Sequence, residues 1–76
     1  MTLRDIHPGQ SCVVKAIRTN NLRKRIIDMG LIIGTKIKVK KTAPLGDPVE
    51  IIVRGYSLTL RKAEARTIQV ERIDNK

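Results

Sequence analysis

The 76-residue chain sets 16 Lys and Arg against 7 Asp and Glu, a net charge of +9, which predicts attraction to an acidic partner. With no Phe or Trp and one Tyr, the core must be built of Ile, Val, Leu, Met and Ala. A chain this short buries only about 60% of its unfolded surface, so partner binding or weak homo-oligomerisation would add stability. The single Cys12 excludes an internal disulfide and fits a reducing compartment. No apolar run approaches the roughly 18 residues that span a bilayer, and MTLRDIHPGQ lacks the apolar centre of a signal peptide. These features lead us to expect one soluble, cytoplasmic domain over 1–76, without membrane insertion.

In chain order, Leu3 and Ile6 precede a Pro8-Gly9 turn signal. SCVVKAI then alternates with apolar residues on both faces, predicting a strand over 11–17. Thr19, Asn20 and Asn21 offer capping oxygens for a helix over 22–29. Leu22, Ile26 and Met29 fall on one stripe of it, Ile27 widens that stripe, and Arg23, Lys24 and Arg25 take the other side. Gly30 stands where a left-handed residue stops a helix. After the apolar connector Leu31-Ile32-Ile33-Gly34, TKIKVKK predicts a strand over 35–41 with Ile37 and Val39 inward and Lys36, Lys38 and Lys40 outward.

Two further runs, 49–54 and 57–61, form a hairpin around a turn at Gly55-Tyr56, with Val49, Ile51, Val53, Leu58 and Leu60 facing inward. A helical turn over 62–66, a last strand over 67–71 and a polar tail over 74–76 complete the chain. Five short strands with little helix predict a mainly β fold, an SH3-like small barrel. Curling the sheet buries its apolar face and shortens its exposed edges.

The chemistry-bearing residues are sparse. His7 has no activated nucleophile near it in sequence, and the carboxylates show no spacing suited to acid–base work, so no catalytic residue is expected. One Cys and one His fall short of the about four ligands of a structural zinc site. No cofactor is therefore expected beyond weak surface binding of a divalent transition metal through His7 and carboxylates. The scattered glycines form no phosphate loop, and Cys12 reads as a small buried hydrophobe. The lysine row suits either a phosphate backbone or a solvated strand face. With one tyrosine as a stacking platform, nucleic acid is the weaker reading.

The stretches LRKRIIDMGLIIGTKIKV (22–39) and PLGDPVEIIVRGYSLTLRKAEA (44–65), with LRDIHPGQ before and TIQV after them, resemble the FeoA family of small ferrous iron transport proteins. The resemblance implies an SH3-like barrel with a helix inserted after the first strand, and no catalysis. It implies, as partner, a membrane ferrous iron transporter that carries a cytoplasmic GTPase domain. The contact surface we expect is Leu22, Arg23, Arg25, Ile26 and Ile27, with Lys36, Lys38, Lys40 and Tyr56 as outer contributors. An arginine that reached the partner's GTPase site would accelerate GTP hydrolysis. The alternatives are a small basic nucleic-acid-binding module and a stand-alone relative of the C-terminal domain of metal-dependent repressors.

Overall fold

The computed structural model describes residues 1–73; the polar tail expected over 74–76 lies outside them. A 3-10 turn, Leu3–Asp5, precedes strand β1 (Ser11–Ile17), helix α1 (Arg23–Asp28), strands β2 (Lys36–Thr42), β3 (Val49–Val53) and β4 (Tyr56–Leu60), helix α2 (Lys62–Thr67) and strand β5 (Ile68–Arg72). The strands form one antiparallel sheet in the order β4-β3-β2-β1-β5. Predicted and observed strands agree to within about two residues at each end, the usual uncertainty of an element boundary.

The sheet bends because two of its ladders are interrupted. Register shifts between Val14 and Ala16 opposite β5, and between Val39 and Lys41 opposite β3. Such bulges kink a strand and increase its twist. The curled inner face buries Val14, Ile37, Val39, Val49, Ile51, Val53 and Leu60 around one core, with Cys12, Ile68 and Val70. The alternation in β2 and β3 is therefore real, and Cys12 is buried as expected. Leu3 and Ala65, both fully buried, join this core where α2 meets the N-terminal turn.

The outermost strands, β4 and β5, do not pair with each other, so no ladder closes the barrel at this seam. The outer edge of β5 is covered by the N-terminal segment. Thr2 bridges Gln69, and the Val70 N–H donates to the Met1 carbonyl at 3.0 Å.

Two local expectations change. The hairpin turn is Arg54-Gly55, not Gly55-Tyr56, and Tyr56 pairs with Val53 inside the ladder. Both turn residues have positive φ, 51° and 86°, as a two-residue turn that matches strand twist requires. Helix α1 begins at Arg23, with Leu22 as its N-cap and no side-chain cap bond. Asn20 does use its side-chain oxygen, but on the Leu22 N–H at 2.9 Å, one turn ahead of the helix.

Candidate docking surface

Helix α1 has only six residues, too few to be stable alone, so its position depends on both ends being tied down. At the N-terminal end the Arg23 guanidinium donates to the carbonyl of Ile17, the last residue of β1. At the C-terminal end the Gly30 N–H donates to the Ile27 carbonyl and the Leu31 N–H to the Ile26 carbonyl, at 2.9 and 3.2 Å. Gly30 sits at φ 91°, the left-handed stop predicted for it. Ile26 and Leu31 are both fully buried, so the hydrogen-bonded stop is also a hydrophobic one.

The next four residues are held just as firmly. Thr35 N–H donates to the Ile32 carbonyl at 3.0 Å, closing a turn with Gly34 at φ 92°. That geometry demands glycine at the third position. Gly34 N–H donates to the Val14 carbonyl at 2.8 Å, and Val14 N–H donates to the Thr35 carbonyl at 2.9 Å. The turn is thus pinned to β1 with Ile32 and Ile33 projecting outward, 47% and 65% exposed.

Together with Ile27 on α1, these two isoleucines border a shallow groove of about 330 Å³, whose remaining lining is Ile17 and Arg23. Single exposed apolar side chains are ordinary, but several around one depression mark an interaction surface. Arg23 supplies the rim cation. No carboxylate lines the groove, and Asp28 on the same helix is paired with Lys24 at 3.2 Å.

Among the other expected contact residues, Ile26 is wholly buried, so it belongs to the core and not to a contact surface. Its neighbour Ile27 is the one that reaches solvent. Leu22 is half-buried and packs against the core. Arg25 is not a spare cation: its Nε donates to Glu64 Oε2 at 2.5 Å. Glu64 is almost completely buried and also accepts the Arg61 N–H at 2.9 Å, opening α2. Arg25 therefore joins α1 to α2 and neutralises an interior carboxylate.

Lys36 and Lys38 are exposed and have no ion-pair partner among the described residues. Lys40 sits at the β2 bulge and pairs with Glu50 at 3.4 Å, with Lys41 on the same carboxylate at 3.9 Å. Tyr56 lies apart from the groove. Its hydroxyl makes a long hydrogen bond, 3.5 Å, to the Met29 carbonyl at the end of α1. The site thus keeps Arg23 and Ile27 and adds Ile32 and Ile33, which the sequence reading left as connector.

His7 is exposed beside its turn, its N–H bonded to the Gln10 side chain at 2.8 Å, and Cys12 is buried. Among the described residues no three His, Cys, Asp or Glu come together as a metal site. A second depression, of about 370 Å³, lies under the 43–48 loop. Its two charged residues, Lys41 and Glu50, are already paired with each other.

Residues 1–72 match the FeoA domain. The chain belongs to the FeoA family. Over 76 residues it is 37% identical to the Fe(2+) transport protein A/Fe(2+) transporter FeoB fusion protein of Porphyromonas gingivalis. The match takes in 99% of this chain but only 9% of that relative's length. The FeoA-like protein of Clostridium acetobutylicum superposes with a TM-score of 0.93 at 38% identity, covering 100% of this chain and 90% of the other. The FeoA protein of Chlorobium tepidum gives 0.87 at 36% identity, covering 100% and 73%.

The FeoA of Stenotrophomonas maltophilia, described as a prokaryotic SH3 domain protein and crystallised with zinc, shares the fold with a TM-score of 0.81 at 24% identity, over 93% and 89% of the two chains. The architecture is therefore SH3-like, as expected. In the present FeoA domain the lone histidine is exposed and the cysteine buried, and the two do not come together as a metal site among the described residues. Among the described residues no helix is long and apolar enough to cross a membrane.

Proposed function

We propose that this chain is a non-enzymatic accessory module of ferrous iron transport. It docks on the cytoplasmic side of a membrane Fe(II) transporter with a GTPase domain and adjusts its activity. The observation that carries the reading is the pinned isoleucine groove of Ile27, Ile32 and Ile33 with Arg23 at its rim. Its support from outside the chain is the relative in which a domain of this kind is joined to an Fe(2+) transporter. Iron is the cargo in this scheme and need not be held by the module.

Apolar anchors supply the affinity of such a surface, and a cationic rim steers an acidic partner and fixes its orientation. The test is Fe(II) uptake in cells whose only copy carries Ile27→Asp together with Ile33→Asp. Uptake should fall several-fold while the protein level stays normal. Undiminished uptake at normal protein level would remove the groove from the mechanism.

A further inference from the structure

We propose that the outer edge of β4 binds an extended, acidic peptide segment as a sixth strand of the sheet. This surface is separate from the isoleucine groove, and the inference stands or falls independently of it.

The two edges of the sheet are treated differently. That of β5 is covered by Met1 and Thr2; that of β4 is bare. The Arg54-Gly55 turn is a two-residue one, so Val53 and Tyr56 form a hydrogen-bonded pair, as do Ile51 with Leu58 and Val49 with Leu60. It follows that the N–H and C=O groups of Ser57 and Thr59 point away from β3. None of these groups finds a partner among the described residues, and both residues are exposed.

Edge strands are ordinarily blocked by a charge, a proline or a bulge. Tyr56–Leu60 has no charged residue and no proline, and its pairing with β3 runs without a register shift.

Charge chooses the occupant. Arg54 and Arg61 flank the strand, both exposed and neither in an ion pair among the described residues. Arg54 holds a left-handed backbone, φ 51°, a position that Asn or Gly fills at lower cost. A second copy is a poor occupant. Antiparallel pairing of Ser57 with the copy's Thr59 would bring the Arg54 end of one β4 against the Arg61-Lys62 end of the other at both ends of the short ladder, and like charges brought together are unfavourable. An acidic strand gains main-chain hydrogen bonds from the edge and ion pairs at both ends.

The experiment is an amide NMR titration of the full chain with a short peptide alternating Glu and Val, beside one alternating Lys and Val. Only the acidic peptide should bind, shifting the Ser57 and Thr59 amides and slowing their hydrogen exchange, with the Ile27, Ile32 and Ile33 amides unmoved. Thr59→Pro removes an outward N–H without touching the β3 ladder and should weaken binding up to about tenfold, the loss of one hydrogen bond. Arg54→Asn suits the turn, so it keeps the fold, and it should weaken binding several-fold, most at low salt. If Thr59→Pro does not fold, the Arg54→Asn affinity and the exchange pattern decide. Equal binding of the cationic peptide, shifts confined to the groove, no shift, or pairing of two β4 edges would each overturn the proposal.

Discussion

Ile26 and Ile27 are neighbours on one helical turn, yet one is fully buried and the other 38% exposed. Truncating Ile26 to Ala should cost about 2–5 kcal/mol, because the core around it cannot fully collapse. Ile27→Asp should change stability by no more than about 0.5 kcal/mol. Urea unfolding of the two variants separates a core role from a surface one. Arg25→Met leaves the Glu64 carboxylate buried without its cation. Loss of a fully buried partner costs about 3–5 kcal/mol, but Arg25 is itself 60% exposed, so about 1–3 kcal/mol is the expected loss. Adding Glu64→Gln should recover part of it in a double-mutant cycle. A wild-type urea midpoint for Arg25→Met would mean that the pair contributes nothing. The burial of Ile26 follows from the helical stripe, but the Arg25–Glu64 pair was not legible in the sequence. The helical stripe placed Arg25 on the polar side, but its partner lies 39 residues away. The only hint was an acidic residue three places into a helix-prone stretch, the position that reaches back to its N-cap.

At the scale of elements, the strands could be read from alternation because burial on one face enforces a period of two. Gly30 as a helix stop was equally legible, since few residues other than glycine take that conformation without cost. The groove was not. Leu31, Ile32 and Ile33 are consecutive and equally apolar, and only the pinning of Gly34 and Thr35 to β1 decides that Leu31 enters the core while the other two leave it. The β3–β4 turn was displaced by one residue because arginine is a poor signal for a left-handed position. Replacing it with Asn should stabilise the fold by about 1 kcal/mol. In a domain of this size that raises the thermal midpoint by about 4–8 °C. A lowered midpoint would show that the Arg54 side chain, which lies beside Gly30, contributes more than its backbone costs.

For the whole molecule, charge and apolar surface divide the work of recognition. A net charge of +9 acts over about 10 Å at ordinary ionic strength, drawing in acidic partners without selecting among them. In the docking proposed above, the short-range choice falls to the isoleucine groove. Association with a partner should therefore slow as salt is added, while dissociation changes little.

The pinning of the Ile32–Thr35 turn to β1 also bears on kinetics. Hydrogen bonds in both directions between Val14 and the turn mean that the groove need not reorganise when a partner arrives. In stopped-flow mixing, the observed rate should rise linearly with partner concentration, without the plateau that a prior opening step imposes.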